Sequence, residues 1–174
     1  HAVYLHRTAP HHFHAILTAV RKLWRLGYRR AGLCMFTGTS RRVDDLWLAG
    51  AMLTRHHYPE MAMEVFLFND ETLGQVAQWT KDQRLDVVLS DNQVALKELQ
   101  RHGLRMPGDV DYATLNWTKN EPEIAGINQA PDRIGAAAID LVIAQLRRGE
   151  RGIPDQAVTT LVEGEWVNGP SLLK

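Results

Sequence analysis

The sequence predicts an α/β fold: a three-layer, doubly wound, mostly parallel sheet with helices on both faces. Three observations predict it. Segments with a helical apolar repeat alternate four times with short strand-like runs. The connections between them are short. The strand-like runs are apolar throughout rather than alternating, as strands covered on both faces are.

The elements follow in chain order. Residues 2–5 read as a short strand. Residues 11–26 carry Phe13, Ile16, Leu17, Val20, Leu23 and Trp24 at helical spacing. Gly27 ends that helix by its access to the left-handed conformation, and Arg21, Lys22 and Arg25 suit the negative end of its dipole. Residues 31–36 form an apolar strand. A helix starting near Ser40 turns Val43, Leu46, Gly50 and Leu53 inward. Strands are predicted at 61–68, 86–90 and 110–115, with helices at 72–83 and 92–102, the latter closed by Gly103. Residues 117–128 have no period and read as loop. Residues 131–148 form an amphipathic helix with Pro131 in its first turn, where a missing N–H costs nothing, and with Ile134, Ala138, Leu141, Val142 and Gln145 on one side. A β-like stretch at 157–167 completes the pattern.

Composition narrows the function classes. With 45% hydrophobic and 23% charged residues, the 174-residue chain is globular rather than disordered. Twenty basic and twenty acidic side chains cancel, whereas holding nucleic acid needs a surplus of cations on one face. No apolar run reaches the roughly 20 residues of a membrane span, and no signal-peptide core opens the sequence. The single cysteine, Cys34, has no partner for an internal disulfide. A soluble cytoplasmic protein without membrane contact is expected.

In an open parallel sheet, ligands bind beyond the carboxyl ends of the strands. Those ends fall at residues 36–38, 68–70, 90–92 and 115–117. They bring Asp91, Asn92, Asn116 and Trp117 to one edge. Such amides and carboxylates bond hydroxyl-rich solutes, and an indole face covers the apolar side of a sugar ring. Asn and Asp after strands also serve as helix caps, and that reading stands beside the first. Enzyme signatures are missing: there is no dinucleotide fingerprint, phosphate loop or nucleophile elbow. Cys34 sits mid-strand and reads as core. His11 and His14 share a helix face, but no further metal ligands are spaced with them, so neither metal nor cofactor is expected. The cluster Arg21, Lys22, Arg25, Arg29 and Arg30 surrounds a helix end and reads as solvated surface.

The run Asp86-Val-Val-Leu-Ser-Asp-Asn-Gln-Val-Ala-Leu, then His102-Gly-Leu-Arg-Met-Pro-Gly-Asp-Val, resembles the lactose/galactose repressor family of bacterial transcription regulators. The resemblance extends through Ile127-Asn-Gln129, Pro131, Ile134-Gly135 and Leu146-Arg-Arg-Gly149-Glu150. Upstream it includes Leu26-Gly-Tyr-Arg-Arg-Ala-Gly. It implies a lobe like those of periplasmic sugar-binding proteins. Residues 1–130 would form the C-terminal effector-binding lobe, 131–160 a segment of a second lobe, and 161–174 the return. DNA would be contacted only through a helix-turn-helix outside this chain, in a homodimer, with a small carbohydrate as effector.

The family's effector arginine falls on Trp47, its Asn-Asp pair on Asp91-Asn92 in swapped order, its aspartate on Asn116 and its hinge glutamine on Gln129. Trp47 either stacks on a ring or plugs the cleft. The ligand-binding set expected is therefore Trp47, Asp91, Asn92, Asn116, Trp117 and Gln129, converging at the carboxyl edge. A transport-type solute-binding protein uses the same core and is the alternative; an enzyme on a flavodoxin-like sheet is the third class.

Overall fold

The computed structural model describes residues 5–174, so residues 2–4 of the first expected strand lie outside the described residues. The strand that forms nearby is β1 (Arg7–Pro10). It is followed by α1 (His12–Arg25), β2 (Arg30–Phe36), α2 (Thr37–Arg42), α3 (Leu46–His57), β3 (Ala62–Phe68), a 3-10 turn at Leu73–Gln75, α4 (Val76–Asp82), β4 (Val87–Ser90), α5 (Gln93–Arg101), β5 (Asp111–Thr114), β6 (Ala125–Asn128), α6 (Pro131–Arg148), β7 (Thr159–Val162) and β8 (Glu165–Val167).

The main sheet runs β3-β2-β4-β5-β6-β8. Its first five strands are parallel, and β8 joins β6 antiparallel. Because successive side chains leave a strand on opposite faces, β2 sends Leu33 and Met35 to one side and Cys34 to the other. The first side packs against Ile16, Val20 and Leu23 of α1 and Trp47 and Ala51 of α3; the second packs against Val76 of α4 and Leu99 of α5. Two helical layers thus enclose the sheet, as its apolar strands require. Close contact of α1 with α3 depends on Gly50, where a Cβ would lie 2.2 Å from Ile16 Cγ2.

A second, two-stranded sheet pairs β1 with β7 in parallel, Arg7 opposite Thr159 and Pro10 opposite Val162. α6 lies against both strands. The sheets divide the chain differently from the expected 1–130, 131–160 and 161–174: residues 7–10 belong with 159–162. The chain crosses between the sheets after Pro10, at residues 129–130, and at residues 163–164.

Three local expectations are corrected. Residues 125–128, read as loop, form β6; its four residues Ala-Gly-Ile-Asn are nearly all buried, so no alternation marks them. The stretch 157–167 is two strands in two sheets, because Gly164 breaks it where the backbone presses on Asn128 and Ile127. The helix expected from Ser40 is two helices, parted at Asp44 and Asp45, which both take left-handed φ values, 53° and 55°. The break resets the helical phase. Trp47, Gly50, Ala51 and Thr54 face the core in α3, while Leu46 and Leu53 are only partly covered.

Candidate functional site

Parallel pairing of β2, β3, β4, β5 and β6 puts their carboxyl ends at one edge. Ser90 is paired with Thr114, so the residues after β4 and β5 emerge side by side. Two groups of side chains gather there.

The first group surrounds Asp91, which is 7% exposed. Burial raises its pKa above the ordinary carboxylate value, opposed by the Thr39 hydroxyl, the Asn92 side chain and the charge of Arg42. Its Oδ1 has no hydrogen-bond partner. The charge of Arg42, at the end of α2, is also felt by His12 in the first turn of α1. Burial, helped by Arg42 and His11, lowers the His12 pKa and keeps the ring neutral at pH 7. His12 meets Trp47 edge-on, with ring centroids 4.6 Å apart, and both His12 Nδ1 and Trp47 Nε1 are buried without partners.

The second group lines a cleft of about 670 Å³ where residues 116–120 face the crossover at 128–134, with Pro10 and Glu165 completing it. Asn116 is exposed on its rim. Trp117 is half-buried, its backbone N–H donating to Ile127 O at 2.8 Å and its Nε1 buried without a partner. Gln129 is 8% exposed and donates through Nε2 to Leu115 O at 2.5 Å. Ala130 then takes a left-handed φ of 54° and donates its N–H to Asn128 Oδ1 at 2.9 Å, which fixes the turn into α6.

The six expected residues therefore play different parts. Asp91 borders the first group; Asn116, Trp117 and Gln129 border the cleft. Asn92 is a helix cap: its Oδ1 accepts from Val94 N at 2.8 Å, and its carbonyl accepts from the Tyr112 hydroxyl at 2.6 Å. Of the two roles left open for Trp47, its 3% exposure within the α1–α3 core matches the plug. Gln129 uses its amide to tie the crossover to β5. His12, Arg42 and Thr39 were not picked out from the sequence. The signal for Arg42 lay in the helix break two residues later, and that for His12 in the phase of α1, which separates it from His11 and His14. Those two face Glu163 instead: His14 Nδ1 bonds its carboxylate, and His11 Nε2 lies 4.0 Å away. Among the described residues, no cluster of His, Cys, Asp or Glu forms that would hold a metal ion. Cys34 is fully buried, and burial with Asp91 nearby pushes its thiol pKa up, away from nucleophilic use. No helix among the described residues is long and apolar enough to cross a membrane.

A parallel sheet wrapped on both faces, joined by crossovers to a second small sheet, defines the class of two-lobed binding folds. Residues 20–171 match the family model of the periplasmic binding protein-like domain, and the chain belongs to that family. Solved structures share the fold. A transcription regulator like protein from Staphylococcus haemolyticus superposes with a TM-score of 0.75 at 18% identity, covering 95% of this chain and 60% of its own. A LacI-type transcription regulator from Bifidobacterium animalis subsp. lactis gives 0.73 at 19% identity, covering 96% and 67%. A periplasmic binding protein/LacI transcriptional regulator from Alkaliphilus metalliredigens, complexed with D-xylulofuranose, gives 0.73 at 12%, covering 96% and 65%. The chain thus spans about three-fifths of the first of these and about two-thirds of the other two. A comparison with curated protein sequences finds no significant match.

Proposed function

We propose that this chain is the effector-binding core of a LacI-type transcription regulator, with a small carbohydrate or similar polar molecule as effector. One observation carries the reading. His12 Nδ1, Asp91 Oδ1 and Trp117 Nε1 are buried without hydrogen-bond partners, and all three side chains belong to the two groups at the carboxyl edge. Buried polar atoms are nearly always satisfied. A mixed set of N–H donors and a carboxylate acceptor beside aromatic rings is what a polyhydroxylated ligand satisfies. In this reading the protein is cytoplasmic, has no catalytic activity, works as a homodimer, and reaches DNA through a helix-turn-helix outside these 174 residues. Ligand closes the two lobes only to the extent that it binds the closed state more tightly than the open one.

The test is calorimetric titration and thermal shift of the chain with pentoses, hexoses and disaccharides, starting from D-xylulose because of the sugar in the Alkaliphilus structure. At least one is expected to bind saturably in the wild type and to lose at least tenfold in affinity with Asp91→Ala or Trp117→Ala. Absence of binding by the whole panel, or binding indifferent to both substitutions, would overturn the reading.

A further inference from the structure

The zero net charge of the chain hides a division. Residues 11–59, which form α1, β2, α2 and α3, hold eight Lys and Arg against two Asp, and the remainder carries the balancing excess of acid. None of these three helices contains an acidic residue. Several of the cations stand where α1 and α3, packed side by side, end at the amino edge of the main sheet. Arg21 and Arg25 are exposed at i and i+4 on α1, and Lys22 lies between them in sequence. Arg29, in the turn into β2, and Arg55, in the last turn of α3, line one open cleft with Pro59 and Glu60.

Helix ends do not account for this gathering. Like charges at i and i+4 repel, and a helix C-terminus offers about half a negative charge, felt within its last turn. Arg21 lies outside that turn. Ion pairing does not account for it either. Among the described residues Arg21, Lys22, Arg25 and Arg29 form no salt bridge, and Arg55 meets Glu64 at 3.3 Å. Asp86 nearby is engaged by the backbone N–H groups of Arg29 and Arg30, at 2.9 and 3.2 Å. Aromatic rings are set among the cations. The half-buried Trp24 has the Arg29 guanidinium 5.8 Å from its ring centroid and the Tyr58 ring at 5.1 Å. Arg29 is fixed there by Nη1, which donates to Trp24 O at 3.1 Å and Tyr28 O at 2.9 Å. Arg, Trp and Tyr are the side chains that carry most binding energy where proteins meet.

We propose that this amino-edge corner of the α1–α3 layer is a docking surface for an acidic segment of another protein. The lobe of the second sheet does not reach it. All three crossings lie at the carboxyl edge, and the seven residues of β2 put about 20 Å between the two edges. A second copy related by a two-fold axis would set the same cations against themselves. A duplex phosphate backbone uses the charges but not the half-buried Trp24 and Tyr58, whereas an acidic segment with apolar side chains uses both. The surface is separate from the cleft at the carboxyl edge and stands whether or not a sugar binds there.

Fluorescence anisotropy of the 174-residue chain with a labelled peptide of glutamates interspersed with leucines tests it. Saturable binding is expected, with the indole N–H resonance of Trp24 moving as peptide is added. Arg21→Glu combined with Arg25→Glu is expected to weaken binding about tenfold without lowering the melting temperature, because both side chains are exposed. Arg147→Glu combined with Arg151→Glu removes the same charge from exposed positions beside the second sheet and is expected to leave affinity within about twofold. No saturable binding would overturn the proposal, as would binding that ignores Arg21 and Arg25 or falls equally with the Arg147 and Arg151 pair. Tighter binding to mixed-sequence duplex DNA, or to vesicles of phosphatidylglycerol and phosphatidylcholine, than to the peptide would overturn it in favour of a phosphate-bearing partner.

Discussion

Asp91 and His12 both feel the charge of Arg42 and have opposite titration behaviour. Burial raises the Asp91 pKa, so the folded chain holds that proton more tightly than the unfolded chain does. Its contribution to stability is whole below the ordinary carboxylate value of about 4 and is lost as pH rises through the folded value. The His12 pKa is lowered, so its contribution is whole at neutral pH and is lost as pH falls below about 6.5 toward the folded value. Asp91→Asn is therefore expected to melt higher than wild type at pH 7 and equal to it below pH about 4. Sugar affinity should drop by about 1.5–3 kcal/mol, the worth of a hydrogen bond to a charged group. Thermal melts across pH check the first part; a variant less stable than wild type at pH 7 would show that the carboxylate is stabilised, not strained. The two tryptophans separate as well. Trp47→Ala is expected to cost about 3–5 kcal/mol in urea unfolding, because the ring is core. Trp117→Ala should cost less stability and more binding. Asp91, Asn116 and Trp117 were legible because strand ends can be counted along a sequence; Gln129 was reached only through the family resemblance. The burial of Trp47 was not, since it follows from a helix phase set by two left-handed aspartates.

Among the elements, β6 shows why local pattern reading stops where it does. Its place in the sheet comes from close approach rather than from propensity. A Cβ on Gly126 would lie 2.1 Å from the carbonyl oxygen of Thr114, so only glycine lets β6 run beside β5. The strand is then fastened from the end of the chain. Ser171 Oγ accepts from Ala125 N at 2.9 Å and donates to Tyr112 O at 2.6 Å, while Ser171 N–H donates to Glu123 O at 3.1 Å. No property of residues 117–128 taken alone announces these partners, which are 46 residues away for Ala125. Longer elements such as α1, β2 and α5 were legible because their apolar repeats are set by their own burial. Ser171→Ala, which leaves the Ala125 N–H buried without an acceptor, is expected to lower stability by about 1–3 kcal/mol. Gly126→Ala should cost at least as much, because backbone and not a movable side chain blocks the methyl. Chemical denaturation reads both; a neutral Gly126→Ala would mean that β6 shifts away from β5 without cost.

At the scale of the whole molecule, the three crossings between the sheets decide how a ligand at the carboxyl edge is felt elsewhere. The alternation of strand and helix announced the main sheet, but the partition into two sheets was hidden, because β1 and β7 are short and lie about 150 residues apart in their pairing. The crossings are braced unequally. Gln129 anchors the second to Leu115. The third, at Glu163 and Gly164, is held by His14, with His11 4.0 Å from the same carboxylate. These side chains are substantially exposed, Glu163 at 57% and His14 at 43%, so the tie contributes under about 1 kcal/mol to overall stability. Its consequence for binding is larger in kind. Apparent affinity is the intrinsic affinity multiplied by the fraction of molecules whose lobes already stand in the binding arrangement, and a carboxylate held from α1 restricts the movement of the third crossing. Glu163→Gln is therefore expected to leave the melting temperature of the free chain within about 2–4 °C of wild type, while weakening the best sugar of the panel about three- to tenfold. The loss should appear mainly as a less favourable entropy of binding, because a looser crossing must be ordered by the ligand. Titration calorimetry of wild type and variant reads both quantities. An unchanged affinity would show that the crossing is held by the backbone alone, through Gly164 against Asn128, and that the histidines of α1 have no part in setting the lobes.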